Sequence, residues 1–315
     1  MGLFLCSNEP VEILHHLKPD WNEKTGLPVK QKLSLLNYHS SAVFPWKEEL
    51  SDGIEYEKFC ESFFIQPDLF LRIRPGNAEQ VLLKLNNIPA SYEFISPFNI
   101  RLPNNFKAEG HFELNKEVVV QDYSSQRVME VLPVRPDGED KVWDCCAGSG
   151  GKSIMAYDLN PKIQLTVSDV RESILANLKK RFKDAGIKKY NAFTGDMTKP
   201  DINLSESGFD LAICDVPCSG SGTWGRTPEQ LYYFDAKKIT RYAALQQRIV
   251  SNAVKQLKPG GHLLYITCSV FKKENEMMAD FMKQELHLVP EKKEMLKGYD
   301  RKADTMFVAL LRKPL

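Results

Sequence analysis

Short apolar runs alternate with stretches of helical period between Lys141 and Leu311, and this alternation constrains the fold more than any other feature. The runs have the length of β-strands, and several of them end on an acidic residue, a thiol or a glycine. Repeated strand–helix units form a mostly parallel sheet with helices on both faces. We therefore predict an α/β fold with a doubly wound, Rossmann-like sheet for the second half of the chain.

The residues before this alternation predict two smaller parts. Residues 1–60 mix short apolar clusters with prolines, which is typical of short helices joined by loops. From Leu69 the pattern changes to a strand, a helix and further strands, a mixture typical of a small α+β domain. The predicted organisation is a helical or irregular extension over 1–60, an accessory domain of RNA-recognition-like type over 61–130 and the α/β domain over 131–315.

Cysteine content and hydropathy limit the compartment and the kind of site. The chain has seven cysteines, an odd number, and no Cys-x-x-Cys pair. This pattern argues against a disulfide framework and a structural zinc site, so we predict no metal. No apolar run reaches the roughly 20 residues of a membrane span, and the N-terminal residues do not form a secretory signal. We expect a cytoplasmic protein that binds no membrane.

Charge is distributed unevenly along the chain, although the formal net charge is only +1. Residues 1–140 hold 14 Lys and Arg against 21 Asp and Glu, whereas residues 141–315 hold 28 against 20. A basic catalytic half suits a polyanionic substrate such as a nucleic acid. A single basic run such as Lys179–Lys183 is at least as often a solvated helix face, so charge alone does not identify the partner.

Two thiols follow the ends of two predicted strands. The apolar run Leu211–Cys214 leads into a loop that holds Asp215 and Cys218. A second apolar run ends on Cys268. Loops at the carboxyl edge of an open α/β sheet are where ligands bind. Either cysteine alone is more often a small buried hydrophobe, but two thiols in matching positions favour a chemical role.

A glycine-rich turn, Cys146 to Lys152, follows the first strand of the α/β region. Glycines let the main chain approach a ligand closely, and the amides of the following helix point at it. The turn lacks the glycine that a P-loop would have at Cys146, and no GxGxxG motif is present. Asp169 ends the second strand, where ribose hydroxyls bind in nucleoside-binding sheets. Asp196 ends the third strand, where it could accept from an adenine amino group.

Three acids at neighbouring strand ends favour a cationic nucleoside as the ligand. Each acid alone is more often a helix cap or a turn residue. Together they favour S-adenosylmethionine, because its sulfur carries a positive charge. The predicted cofactor-binding residues are Cys146, Ala147, Gly148, Ser149, Gly150, Gly151, Lys152, Asp169, Asp196 and Asp215.

Several segments carry motifs specific enough to compare with known families. They are Asp215–Gly222 with Thr227–Glu229, Leu257–Gly261, Tyr265–Ser269 with Glu274–Glu276, and the flanking Val120–Ser125 and Asp304–Leu311. Together they resemble the RsmB/Sun family of RNA (cytosine-5)-methyltransferases, firmly over residues about 117 to 313 and weakly over about 65 to 116. Where the family has Cys-Ala-Ala-Pro-Gly-Gly-Lys, this chain has Cys146-Ala-Gly-Ser-Gly-Gly-Lys152, a difference that loosens the turn without moving it.

The resemblance implies a class I methyltransferase that transfers a methyl group from S-adenosylmethionine to carbon 5 of a cytosine in RNA. Carbon 5 is a poor nucleophile until a thiolate adds to carbon 6. The resemblance assigns this addition to Cys268, contact with the ring nitrogen to Asp215, and assistance in releasing the covalent adduct to Cys218. A thiol is only slightly ionised at neutral pH, so the site must raise the thiolate fraction, and Lys152 is a candidate for this role.

The resemblance also implies an RNA substrate, with ribosomal RNA as the first expectation and transfer RNA as the alternative. The cytosine must be single-stranded or flipped out, because carbon 6 is shielded in a stack. We predict no obligate protein partner. Aromatic and basic residues after the thiol loop either stack on RNA or pack a helix against the sheet, and the sequence favours neither reading. These residues are Trp224, Tyr232, Tyr233 and Phe234, with Arg226, Lys237, Lys238 and Arg241.

Other classes of protein fit the sequence less well. A DNA cytosine methyltransferase would have its nucleophile in the Pro-Cys loop, which leaves Cys268 unexplained. An amino-group methyltransferase would carry an acid-proline-proline-aromatic loop in place of Asp215–Cys218. A non-catalytic RNA-binding protein has no need of both cysteines and stays an alternative that the variant Cys268→Ala tests.

Overall fold

The structure is a computed structural model that describes residues 1–132, 138–200 and 208–315. Short helices joined by loops form the first part of the chain. Phe44 and Phe59 from this part share one buried cluster with Trp224 and Phe271, so it packs directly on the C-terminal half. The helices are α1 Gly2–Cys6, α2 Glu12–Leu17, α3 Pro19–Asn22, α4 Val29–Leu35 and α5 Tyr56–Ser62.

A small antiparallel sheet with one helix follows. Its elements are β1 Leu69–Ile73, α6 Ala78–Leu85, β2 Glu93–Ser96, β3 Asn99–Leu102 and β4 Val118–Val120. The spatial order is β2-β3-β1-β4, and the link 103–117 contains turns and isolated bridges in place of a second helix. This is a reduced form of the β-α-β-β-α-β arrangement. The expected smaller α+β part is confirmed, whereas its bounds and its RNA-recognition likeness stay predictions.

Seven strands of the described residues form the larger sheet. The elements in chain order are α7 Tyr123–Arg127, β5 Lys141–Asp144, α8 Gly151–Leu159, β6 Gln164–Asp169, α9 Glu172–Asp184, β7 Asn191–Thr194, β8 Phe209–Asp215, α10 Pro228–Tyr232, α11 Lys237–Gln256, β9 Leu257–Thr267, α12 Glu276–Gln284, β10 Val289–Leu296 and β11 Met306–Arg312. Their spatial order is β10-β11-β9-β8-β5-β6-β7, in which β5 to β9 are parallel and β10 and β11 are antiparallel. The predicted doubly wound, mostly parallel α/β fold is confirmed.

Helices bury both faces of this sheet. Val142 and Trp143, neighbours on β5, belong to different cores. The first packs with α8 and α9, and the second with α11 and α12, because successive side chains of a strand point to opposite faces. Burial on both faces explains why the central strands are continuous apolar runs in the sequence. Because β5 to β9 are parallel, the loops that follow them and the N-termini of the next helices meet at the carboxyl edge of the sheet.

Two strands differ from the sequence prediction. The strand β10 was not predicted, because Val289–Glu294 is exposed at the sheet edge and mostly charged, which hides any alternation. The strand β9 begins at Leu257, before the apolar run that ends on Cys268. A register shift opposite β8, from Leu257 to His262, accommodates the extra residues, so the proline and glycines lie within the strand.

Buried ion pairs attach the small sheet to α8. Arg72 Nη1 lies 2.7 Å from Asp158 Oδ2, and Arg74 Nη2 lies 2.6 Å from Asp158 Oδ1. All three side chains are at most 10% exposed. Removing one partner of such a group leaves an uncompensated buried charge, so the contact is strongly specified. It fixes the small sheet against the helix that begins at the glycine-rich turn.

Candidate active site

A cleft of about 960 Å³ opens at the carboxyl edge of the larger sheet. It brings together the glycine-rich turn, the acids at the strand ends and both thiols, as the sequence predicted. Of the predicted site residues, Gly150 alone does not line it. Those that do are Cys146, Ala147, Gly148, Ser149, Gly151, Lys152, Asp169, Asp196, Asp215, Cys218 and Cys268.

The glycine-rich turn uses two residues in the left-handed conformation. Gly148 has a φ of +52° and Gly150 a φ of +84°. A Cβ on Gly150 would also lie 2.7 Å from Cε1 of Phe182, so a larger residue would force the turn or this ring to shift. Gly150 therefore packs the turn against α9 and does not line the cleft, and its predicted role in binding the cofactor stays a prediction.

Two acids on one side of the cleft are held in their charged form. Asp169 Oδ2 accepts from the Gly148 N–H, and Oδ1 accepts from the Arg171 N–H, both at 3.0 Å. Burial alone would raise the pKa of Asp169, but the hydrogen bonds and charge of Arg171 hold it below its ordinary value. Asp196 accepts from the hydroxyl and the main-chain N–H of Thr198, and these bonds lower its pKa.

Lys152 contacts an acid and a hydroxyl in the cleft. Its Nζ lies 3.1 Å from Asp215 Oδ2 and donates to Ser125 Oγ at 2.7 Å. Ser125 belongs to the segment before β5 that the sequence comparison singled out. The structure thus places the charge of Lys152 at Asp215, whereas the sequence hypothesis placed it at Cys268.

A buried acid, Asp144, lies beside the cleft residues and was not among the predicted site residues. It ends β5 and is 1% exposed. Its Oδ2 accepts from the Ser153 hydroxyl at 2.6 Å, and its Oδ1 has no partner among the described residues. Burial, together with the charge of Asp215, raises the pKa of Asp144 to about 7. Its place at a strand end is the signal that could have identified it.

The two thiols lie next to each other at the ends of neighbouring strands. The strands β8 and β9 pair in parallel as far as Asp215 and Ile266, so the loops that follow run side by side. Cys218 Sγ and Cys268 Sγ are 3.2 Å apart, and both residues line the cleft. The hydrogen bond with Cys268 and burial raise the pKa of Cys218 well above that of an ordinary thiol. Either sulfur can donate in this contact, and the raised pKa of Cys218 favours its protonated form.

A fully buried carboxyl group, Glu274, holds the loop that carries Cys218. Its Oε2 accepts from the Ser219 N–H at 2.8 Å and from Gln246 Nε2 at 3.3 Å. Gln246 Nε2 also donates to the Pro217 carbonyl at 3.0 Å. Burial raises the pKa of Glu274 to about 7, and its Oε1 has no partner within the described ranges. The sequence placed Glu274 in a family motif but gave it no role.

Gly222 lets the thiol loop approach the residues before β11. Its N–H donates to the Cys268 carbonyl and its carbonyl accepts from the Thr305 N–H, both at 2.9 Å. A Cβ at Gly222 would lie 1.9 Å from the Thr305 carbonyl oxygen. Glycine is therefore required, and it sets the spacing between the thiol loops and the last strand.

Arg226 joins three separate segments at the cleft. It donates to Asp304 Oδ1 at 2.9 Å, to Asp122 Oδ2 at 2.8 Å and to the Asp68 carbonyl at 3.1 Å. Burial and the charge of Asp122 raise the pKa of Asp304 to about 7, although Arg226 opposes this. The sequence grouped Arg226 with candidate RNA-binding cations, and the structure places it in an internal ion-pair network.

The described ranges hold neither a metal-binding cluster nor a membrane-spanning helix. Among residues 1–132, 138–200 and 208–315, no group of three or more His, Cys, Asp or Glu side chains is placed to hold a metal ion. Within the same ranges no helix is both long and apolar enough to cross a membrane.

The sequence matches a known family and several curated relatives. The profile of the family described as 16S rRNA methyltransferase RsmB/F matches residues 131–311. Ribosomal RNA small subunit methyltransferase B of Xanthomonas campestris is 34% identical over 164 residues, which cover 51% of this chain and 36% of that protein. The probable ribosomal RNA small subunit methyltransferase B of Synechocystis sp. is 30% identical over 260 residues, 78% of this chain and 57% of that protein. The chain thus spans only part of the length of these relatives.

Two solved structures share the fold. The crystal structure of PH0851 superposes with a TM-score of 0.77 over 96% of this chain and 75% of that chain, at 25% identity. NSun6 from Pyrococcus horikoshii with SFG has a TM-score of 0.72 over 87% of this chain and 96% of that chain. At 16% identity, this second likeness shows the fold alone.

Proposed function

Because this chain belongs to the 16S rRNA methyltransferase RsmB/F family, we propose that it transfers a methyl group from S-adenosylmethionine to carbon 5 of a cytosine in ribosomal RNA. The proposed route passes through a covalent bond between Cys268 and carbon 6 of the base. The RNA presents this cytosine unpaired or flipped out of a helix. The observation that carries the proposal is the contact between Cys218 and Cys268, 3.2 Å apart, in the cleft that the glycine-rich turn also lines.

The side of the cleft around the glycine-rich turn fits the cofactor. The charged carboxylates of Asp169 and Asp196 suit a nucleoside that carries hydroxyl groups, an amino group and a cationic sulfur. The main chain at Gly148 is open, since nothing lies within 4 Å of a Cβ built there. Bound at this side, S-adenosylmethionine supplies the methyl group. We assign its binding to Cys146–Lys152 with the exception of Gly150, and to Asp169, Asp196 and Asp215.

Cys268 and the Lys152–Asp215 pair act on the base in the first half of the reaction. The Cys268 thiolate bonds to carbon 6, and the ring electrons move towards nitrogen 3, which makes carbon 5 nucleophilic. Asp215 engages the ring nitrogen. The Lys152 ammonium, 3.1 Å from Asp215, offsets the negative charge that develops there.

Cys218 assists the second half of the reaction, the release of the product. After methylation, carbon 5 gives its proton to water, and the electron pair of that bond restores the double bond between carbons 5 and 6. The bond between carbon 6 and Cys268 breaks at the same time, and its electron pair returns to the sulfur. The raised pKa of Cys218 keeps a proton on its thiol, which donates to the departing Cys268 sulfur 3.2 Å away.

Trapping the covalent adduct tests this proposal. Cys218→Ala is incubated with S-adenosylmethionine and bacterial ribosomal RNA, and the products are separated on a denaturing gel. We expect a protein–RNA band that is absent from the double variant Cys218→Ala, Cys268→Ala. Sequencing the trapped RNA then identifies the cytosine.

Controls separate the possible outcomes. Cys6→Ala removes an exposed thiol far along the chain from both loops and should behave as the wild type. If an adduct forms with transfer RNA alone, the proposed reaction stands and the proposed substrate is wrong. If labelled cofactor binds but Cys218→Ala forms no adduct with either RNA, the carbon 5 chemistry is wrong and a non-catalytic RNA-binding role takes its place.

A further inference from the structure

The structure divides the aromatic residues after the thiol loop into two pairs. Trp224 is 0% exposed, and Phe234 packs on it with 4.7 Å between ring centroids. Both belong to the buried cluster shared with Phe44. Tyr232 and Tyr233 are 81% and 74% exposed, and neither hydroxyl has a hydrogen-bond partner among the described residues. Trp224 and Phe234 therefore pack in the core, whereas Tyr232 and Tyr233 are free to contact a ligand.

The basic residues of the same segment divide in a similar way. Arg226 is occupied by Asp122 and Asp304. The remaining cations of the segment are exposed and form no ion pair within the described parts of the chain. These free cations are Lys237, Lys238 and Arg241.

A line of positive charge runs along α11 towards the cleft. Lys237, Arg241 and Arg248 recur at intervals that place them on one face of the helix. They span roughly 17 Å at 1.5 Å per residue. Arg248 is exposed, forms no ion pair with a described residue, and lines the cleft.

One of the exposed tyrosines, Tyr233, also reaches the thiol loop. A second cavity, of about 210 Å³, is lined by Tyr233, Lys238 and Tyr242 on one side and by Ser219 on the other. Ser219 directly follows Cys218. A ligand that occupies this cavity therefore lies beside the proposed acceptor site, and Arg248, at the far end of the charged line on α11, lines the cleft that holds this site.

We propose that this surface binds the single strand of RNA that flanks the acceptor cytosine, an inference that rests on the proposed function. A base of the strand stacks on Tyr233, and the cations of α11 hold its phosphates. Exposed aromatic rings beside unpaired cations are the combination that binds single-stranded nucleic acid. The same segment also holds two acids, Glu229 and Asp235. They are fewer than the four cations of the surface, so its net charge is positive. We name it the α10–α11 face: Tyr232, Tyr233, Lys237, Lys238, Arg241 and Arg248.

Substitution of Tyr233 tests the proposed stacking of a base on its ring. The probe is a fluorescein-labelled single-stranded RNA of about 12 nucleotides with one central cytosine, and its dissociation constant is measured by anisotropy. Tyr233→Ser should weaken binding about 5- to 150-fold, the range of one lost base–aromatic stack, with the salt dependence unchanged. Tyr38→Ser, which changes a tyrosine outside the face, is the control and should bind as the wild type.

Substitution of two lysines tests the phosphate contacts. In Lys237→Gln, Lys238→Gln the plot of log affinity against log salt should become less steep by about 1.4, since each phosphate contact on a single strand contributes about 0.7. The matched control is Lys292→Gln, Lys293→Gln, which removes two adjacent exposed lysines from β10. This control should leave the slope unchanged.

The outcomes distinguish this inference from the proposed function. If Cys218→Ala traps RNA and the face variants bind the probe as tightly as the wild type, the face assignment is overturned and the chemistry stands. Equal weakening by the face variants and the β10 control would also overturn it, because the effect would then be general charge. If no adduct forms but binding depends on the face, the inference holds and the chemistry fails.

Discussion

Two carboxylates of the cofactor half and the groups of the thiol half hold protons in opposite ways, whereas Asp144, which does not line the cleft, stands apart with a pKa raised to about 7. In the cofactor half, around Cys146–Lys152, hydrogen bonds lower the pKa of Asp169 and Asp196. In the thiol half, the hydrogen bond with Cys268 and burial raise the pKa of Cys218, and burial raises the pKa of Glu274. The first half keeps fixed negative charge for a cationic ligand. The second keeps protons that can move during a reaction.

The balance between burial and the partners of each carboxylate explains the difference between Asp169 and Glu274: Arg171 outweighs burial at Asp169, and burial outweighs the hydrogen bonds of Glu274. The carboxylate of Asp169 accepts from two main-chain N–H groups and from the side chain of Arg171. Glu274 accepts from one main-chain N–H and one side-chain amide, and one of its oxygens has no partner in the described residues. A carboxylate with several donors is stabilised in its charged form, whereas a buried one with few is not.

The largest predicted effect comes from a substitution that disrupts the thiol half and leaves the cofactor half intact. Gly222→Ala should reduce the free energy of unfolding by about 3 kcal/mol or more, because its Cβ would meet the Thr305 carbonyl oxygen. Adduct formation should be lost as the loop shifts. Urea denaturation and the gel assay measure these effects. Gly2→Ala, where nothing lies within 4 Å of the added Cβ, is the control. A Gly222→Ala protein of wild-type stability would show that the loop spacing is not fixed by this contact.

The next effect breaks the cofactor half. Asp169→Asn should raise the dissociation constant of S-adenosylmethionine roughly 30- to 100-fold, the loss expected for a charged hydrogen-bonding group. Titration calorimetry measures it, with the exposed acid Asp280→Asn as control. The rate at which iodoacetamide alkylates Cys218 should not change. An altered alkylation rate would mean that the two halves are coupled, which contradicts their separation.

A third prediction uses pH to separate the halves. Burial raises the pKa of Glu274 to about 7, above its ordinary value of 4.5, so the folded state binds this proton more tightly than the unfolded state. Stability therefore falls as pH rises from about 4.5 to about 7. Glu274→Gln removes this contribution. The loss in free energy of unfolding between about pH 5 and pH 8, measured by urea denaturation, should therefore be smaller in this variant by about 1–3 kcal/mol.

The pH experiment has an internal counterpart in the cofactor half. The pKa of Asp169 is lowered from its ordinary value of 3.8, so it stabilises the fold above that value and loses this effect as pH falls through the lowered pKa. Asp169→Asn should therefore change stability in the acid range and leave the fall between about pH 4.5 and pH 7 in place. Asp144 and Asp304 contribute to that fall in every variant. Identical pH profiles for wild type and Glu274→Gln would refute the assignment.

The smallest predicted effect sharpens the description of the glycine-rich turn. Gly148→Ala and Gly150→Ala each place alanine in a left-handed conformation, which should lower the free energy of unfolding by about 1 kcal/mol. Gly150→Ala adds a contact of 2.7 Å with Phe182 and should be less stable by a further 1–2 kcal/mol or so. Thermal unfolding measures the difference. Equal melting temperatures would mean that the turn shifts away from Phe182.

Much of the site could be predicted because strand ends are visible in a sequence. Asp169, Asp215 and Cys268 each follow an apolar run, and parallel strands bring such ends to one edge. The predicted family is confirmed by the match over 131–311, and S-adenosylmethionine is the cofactor of that family. The roles given to the individual side chains stay proposals.

The remaining features depend on contacts between distant segments. Glu274 is 55 residues from Ser219, and Arg226 is 104 residues from Asp122. In the sequence Arg226 is simply one cation near Lys237, and only packing distinguishes the paired guanidinium from the free ammonium. Likewise β10 owes its strand conformation to its neighbour β11 rather than to any alternation of its own. Patterns along the chain carry none of this information.

The contacts around Gly222 and Arg226 also make the thiol loop depend on residues that the ribosome adds late. Asp304 and Thr305 leave the ribosome after both thiols have been made. Until they do, the Gly222 carbonyl lacks its donor, and Arg226 lacks one of its two carboxylates. A nascent chain that ends before Asp304 therefore carries both cysteines without the contacts that hold their loop. The loop that carries Cys218 gains these contacts only when Asp304 and Thr305 are free to fold against it.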